Sequence, residues 1–163
     1  PSESRLVVAY QGVEGSYSHA ATTRYFAALG RDVVAQGFAS FGEMLDAVQS
    51  GQAEYGVLPI ENTTAGSINE SYDLLAHHAL FLVGEVVQKV DHCLLALEAM
   101  PVSHIRRVYS HPQALAQCSA FLSSLRNCHA EAYSDTALAA LKIKQEQDFS
   151  QAAIAGEEAA RIY

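Results

Sequence analysis

Glu61 and Asn62 are followed by two threonines, an alanine and a glycine in this 163-residue sequence. They close a short apolar stretch, 54–60, and a helical pattern follows them, so they stand at a strand end. A carboxyl, an amide and two hydroxyls in succession exceed what a turn requires. Glu61 can serve as an acid, or hold a partner in place, where burial raises its affinity for a proton. Asn62 can both donate and accept. An Asx-type turn with a helix cap accounts for the same residues more plainly.

Two further loops have the same placement, after an apolar run and before a helix. Residues 11–18 carry Gly12 and Gly15 for tight backbone, and Ser16 and Ser18 for hydroxyls beside a helix start. That combination suits a carboxylate or phosphate, although a turn with a serine cap would look alike. The loop lacks the Gly-Lys-Ser/Thr of a Walker motif and the glycine spacing of a dinucleotide fingerprint. In the third loop, Ser110-His111-Pro112-Gln113, the serine sits where a strand stops and Pro112 falls in the first turn of the next helix. Gln113 and Gln117 are four apart and share a helical face. His111 titrates near neutrality in principle, and a cap is its simpler role.

Other chemistries find little support. The seven histidines include no His-x-x-x-His pair or Cys/His cluster, so no metal is expected. There is no Gly-x-Ser-x-Gly elbow. Cys93, Cys118 and Cys128 form no Cys-x-x-Cys pair, which suggests small buried hydrophobes in a reducing compartment. The net charge of −8 and the lack of a basic run speak against nucleic acid. No apolar stretch is long enough for a membrane helix and no signal sequence opens the chain, so cytoplasm is the expected location. The first residue is Pro1, which suggests a piece of a longer protein.

The elements that must position these loops alternate. Strands are predicted at 6–10, 33–38, 54–60, 80–87, 91–97, 106–109, 128–132 and 152–155. Helices are predicted at 17–29, 41–49, 67–78, 112–125, from 134 or 135 onward, and at 157–163. Gly30 and Gly51 fall just past helix ends, and Ser40 with Glu43 reads as a capping box. This order implies an α/β architecture with mainly parallel sheets, which bind ligands at the carboxyl ends of their strands.

Together the loops resemble the prephenate dehydratase family. The resemblance rests on Val8-Ala9-Tyr10-Gln11-Gly12 with Gly15-Ser16-Tyr17-Ser18, and on Pro59-Ile60-Glu61-Asn62 with Gly66-Ser67-Ile68 and Tyr72-Asp73-Leu74-Leu75. It continues through His92-Cys93-Leu94-Leu95, Ser110 to Cys118, Asp135-Thr136-Ala137 and Ala152-Ala153-Ile154-Ala155. The motifs occur in the family's order over nearly the whole chain.

The resemblance implies two lobes like those of type 2 periplasmic binding proteins, with a cleft between them. One lobe would comprise about 1–83 plus 150–163, and the other about 84–149. It implies a carbon-oxygen lyase that turns prephenate into phenylpyruvate, water and CO2 on the route to phenylalanine, without a cofactor. Glu61, Asn62 and Thr136 would be catalytic. Gly15, Ser16, Ser18, Asn62, Ser110 and Gln117 would hold the substrate. A homo-oligomer, dimer or tetramer, is expected of the full-length protein.

Asp135 stands where many bacterial members have serine, and Asp-Thr-Ala resembles the branch for which arogenate can be the substrate. The family's Asn-x-Thr-Arg-Phe motif and regulatory ACT domain would follow Tyr163, so a chain ending there is expected to be inactive or nearly so. A non-catalytic small-anion-binding domain of the same fold is the rival reading.

Overall fold

The apolar run near the start forms β1 (Leu6–Gln11) and is followed by α1 (Tyr17–Ala28), β2 (Val33–Phe38), α2 (Phe41–Gln49) and β3 (Tyr55–Val57). The computed structural model describes residues 5–62 and 66–163. They divide into two units: the chain up to Val13 with Tyr17–Gln88, and Glu14–Ser16 with Lys89–Tyr163.

In the first unit β1 lies between β2 and β3, parallel to both. A central strand is flanked on both sides, so Val8, Ala9 and Tyr10 are fully buried. Ala9 packs with Met44 and Leu45 of α2. The Ser40 half of the expected capping box forms, with Ser40 Oγ accepting from Glu43 N at 3.1 Å. A Cβ on Gly37 would lie 2.3 Å from the Gly12 carbonyl oxygen, so the chain leaving β1 passes β2 only because that side chain is missing. Beyond β3, β4 (Glu61–Asn62) pairs antiparallel with β5 (Gly66–Ser67), and α3 (Asn69–Ala76) follows. Thr63, Thr64 and Ala65 of the Glu61 loop lie outside the described residues.

The strand expected at 80–87 does not form. An apolar run becomes a strand only beside a neighbour that completes its ladder, and none of the described strands pairs with it. Phe81 and Val87 are 90% and 84% exposed. The strand at 91–97 contracts to β6 (Cys93–Leu95).

The second unit continues with a 3-10 turn at Val102–His104, then β7 (Arg107–Ser110), α4 (Pro112–Gln117), α5 (Ser119–Ser123), β8 (His129–Ala132), α6 (Thr136–Glu146), β9 (Gln151–Ala155) and α7 (Glu157–Ile162). Its sheet runs β6-β9-β7-β8, with β9 parallel to β7, β7 parallel to β8, and β6 antiparallel to β9. Ile105, Val108, Ala114, Ala152 and Ile154 form its core.

Two expectations change here. Residues 150–163 were placed with the first lobe, whereas β9 is an inner strand of the second sheet and buried along its whole length. Alanine-rich β9 accepts close neighbours on both edges, which ties the last segment to β6 and β7. The helix expected at 112–125 breaks at Cys118 into α4 and α5. The α/β class holds in both units.

Candidate functional site

Because β7, β8 and β9 are parallel, their carboxyl ends lie along one edge of the second sheet. Ser110 ends β7 in register with Ala132, the last residue of β8. β6 runs the other way, so its first residue, Cys93, faces Ala155 at the end of β9. The junctions that lead into α4, α6 and α7 therefore share an edge with the residues just before β6.

At the first junction Ser110 is fully buried, and its Oγ donates to the Ile154 carbonyl at 2.7 Å. The Ser110 carbonyl accepts from Tyr133 N at 2.8 Å. Both contacts bind β7 to its neighbours, so the hydroxyl hydrogen is committed within the sheet. His111 caps α4, its Nδ1 accepting from Gln113 N at 3.1 Å. Gln117 ends α4 and is exposed, with its Oε1 2.5 Å from Nε2 of His92.

At the second junction Asp135 caps α6. Its Oδ1 accepts from Ala137 N at 2.7 Å and Leu138 N at 3.2 Å, which occupies two amides that an anion would otherwise meet. Thr136, the first residue of α6, is half-buried.

The third junction packs against the loop 14–16. Gly15 has φ +90°, and a Cβ there would come within 3.1 Å of Ala159 Cα in α7. Ser16 is buried beside it. Tyr163 Oη donates to the Glu14 carbonyl at 2.8 Å. Burial first, then the charges of Glu14 and Asp135, push the Tyr163 phenol above its usual range. Two carboxylates thus set the local field, so binding an anion at this edge would have to draw on hydrogen-bond donors.

The first unit holds the other expected residues. Ser18 lies in the first turn of α1, and its carbonyl accepts from Thr22 Oγ1 at 2.8 Å. Glu61 pairs with Ser67 and is exposed, so the burial that an acid role calls on is not found at this carboxyl. Asn62 pairs with Gly66. Buried Ser71 steadies the approach to β4 by donating to the Pro59 carbonyl at 2.6 Å. Gly15, Ser16, Ser110, Gln117 and Thr136 thus belong to one unit, and Ser18, Glu61 and Asn62 to the other.

A hollow of about 460 Å³ in the second unit is lined by Leu94, Leu97, Met100, Ile143, Ala159 and Tyr163 among others, and by none of the expected site residues. Among the described residues no group of three or more His, Cys, Asp or Glu could hold a metal ion, and no helix is long and apolar enough to cross a membrane. What sequence reading missed is the contact of His92 with Gln117: His92 stood in the His92-Cys93-Leu94-Leu95 motif, but no periodicity links position 92 to position 117.

Comparison with known proteins agrees with the motif order. The family model described as prephenate dehydratase matches residues 8–163. The chain is 40% identical over 156 residues to the bifunctional chorismate mutase/prephenate dehydratase of Escherichia coli K12, covering 96% of this chain and 40% of that protein. It is 45% identical over 160 residues to arogenate dehydratase/prephenate dehydratase 2, chloroplastic, of Arabidopsis thaliana, covering 98% and 41%. A solved structure titled as GqqA, a novel type of quorum quenching acylase, superposes with a TM-score of 0.82 at 32% identity, covering 96% of this chain and 55% of that one. The chain therefore spans about two fifths of the length of these curated relatives.

Proposed function

On the premise that this chain belongs to the prephenate dehydratase family, we propose that it supplies the catalytic domain for decarboxylating dehydration of prephenate in phenylalanine biosynthesis, with arogenate as the alternative substrate. The observation that carries this reading is the gathering of the Ser110, Asp135-Thr136 and Gly156 junctions along one sheet edge, with Gly15 and Ser16 packed beside the last.

In the reaction the ring carboxylate leaves as CO2, its bonding electrons enter the ring, and the C4–O bond breaks as a proton reaches the hydroxyl and water departs. Aromatisation drives the change, so no cofactor is called for. The protein has to hold an acid-bearing cyclohexadiene in register and deliver one proton. Gln117 is the residue of the second unit proposed to orient a substrate oxygen, Asn62 is the candidate for such contacts in the first unit, and the helix dipole at the α6 start adds a positive field. Ser110 acts from beneath by holding the β7 end to β9. Thr136 stands at the α6 start as a hydroxyl donor, and Glu61, exposed in the absence of substrate, is the candidate acid only where bound substrate covers its carboxyl. A segment like the family's Thr-Arg-Phe would bring the positive charge that Glu14 and Asp135 make necessary. A cytoplasmic homo-oligomer is the expected setting.

The test is turnover by the full-length protein. Prephenate should yield phenylpyruvate and CO2 in equal amounts, or arogenate should yield phenylalanine and CO2. Consumption of neither, with the protein folded, would refute the proposal. The acylase similarity makes one control informative: acid released from an acyl-amine, with prephenate untouched, would move the chain to that activity.

A further inference from the structure

The Gln117 side chain is held by a ring on a different element, and the direction in which it is held has chemical content. His92 immediately precedes β6, whose first residue is in register with the end of β9. The imidazole therefore rises at the same edge as the Ser110, Asp135 and Gly156 junctions. From there Nε2 lies 2.5 Å from Oε1 of Gln117, an approach too close for two acceptors. With Oε1 placed toward the ring, Nε2 is the donor of this contact. With Oε1 engaged, the Gln117 NH2 group is turned away from His92 as a pair of donors.

We propose that His92 is a positioning residue that fixes the Gln117 amide with its NH2 group toward the substrate, so that this point of the site selects a substrate oxygen and disfavours an ammonium group. The inference rests on the reading of Gln117 as a substrate-binding residue. It extends that reading by naming both the device that sets the amide's direction and the substrate chemistry it prefers. Neutral imidazole with the proton on Nε2 and the imidazolium ion both donate to Oε1; only the Nδ1–H tautomer breaks the contact. A serine or threonine at position 92 would lack the reach, and a glutamine would place an amide N–H close to where Nε2 stands.

The test uses the full-length protein and two readouts. Long-range 1H–15N spectra of the folded protein report which ring nitrogen of His92 bears the proton. The proposal requires Nε2, and a neutral Nδ1–H form would overturn it. His92→Leu should lower kcat/KM for prephenate by about tenfold with the melting temperature nearly unchanged. His92→Gln should restore most of that loss. Equal kcat/KM for wild type and His92→Leu, or equal losses in both variants, would overturn the proposal. Should the wild-type protein turn over no substrate, the functional reading fails by itself. The tautomer, with the Gln117 side-chain amide resonances in wild type and His92→Leu, then still decides the positioning claim. Those resonances should shift when the ring is removed, and unchanged resonances would overturn it.

Discussion

Ser110 and Ile154 are joined across the second sheet by a hydrogen bond of 2.7 Å from a fully buried hydroxyl to a main-chain carbonyl. A residue that the family resemblance assigns to substrate binding therefore first serves to hold β7 against β9. The proposed substrate contact and the sheet's integrity would thus draw on the same side chain.

Ser110→Ala should cost stability as well as activity. Removing a buried donor and leaving its acceptor unpaired costs about 1–3 kcal/mol. A lower urea midpoint with an unchanged m-value is expected. An unchanged midpoint would mean that the hydroxyl serves the ligand alone.

Gly15→Ala places a side chain at φ +90° and 3.1 Å from Ala159 Cα. Backbone strain and the clash with α7 together should destabilise the second unit by more than about 1 kcal/mol. Hydrogen exchange should rise in α7 and in Glu14–Ser16, while β1 to α3 should be little affected. Uniform change in both units would contradict this.

Much of the helix punctuation in both units was legible in the sequence because its signals are local. Ser40 and Glu43 lie three residues apart, and the Ser40 half of the cap they imply forms. Gly30 and Gly51 take positive φ just past α1 and α2. Pro112 opens α4, and Asp135 caps α6. What stayed hidden depends on distant partners. Whether 80–87 becomes a strand turns on a neighbour for its ladder, which apolarity does not reveal. The placement of β9 between β6 and β7 turns on small side chains at 152, 153 and 155, which read equally well as a strand of either lobe. The contact between His92 and Gln117 spans 25 positions and exists only once β6 has paired with β9. Glu61 stood out as a carboxyl in a polar loop, but its exposure could not be read from its type.

The pH dependence of the first unit should carry the mark of His78. Its Nδ1 lies 2.6 Å from the Leu74 carbonyl in α3 and its Nε2 2.9 Å from Asp46 Oδ1 in α2, so both nitrogens face acceptors. The Leu74 carbonyl first and Asp46 next raise its pKa above 6.5, against a smaller opposing effect of burial. A raised folded-state pKa gives stability that is fully present below pH 6.5 and lost as pH rises through the folded value. The stability gap between wild type and His78→Leu should therefore be larger at pH 5.5 than at pH 8.5. A gap that widens with pH would reverse the assignment.

Gln117→Glu keeps the side chain's length but replaces the outward NH2 group with a carboxylate oxygen. Turnover of prephenate should fall by about tenfold or more. Arogenate, which carries an ammonium group, should lose less, so the ratio of the two kcat/KM values should move toward arogenate. Equal losses on both substrates would separate Gln117 from substrate choice.

The most direct test of the shared edge is amide shift mapping in the full-length protein, titrated with phenylpyruvate as a stable product. Resonances of Gly15, Ser110 to Gln113 and Asp135 to Ala137 should move together along a single binding curve. Shifts confined to the residues around Leu97, Met100 and Ile143, with those junctions unmoved at saturation, would contradict the account.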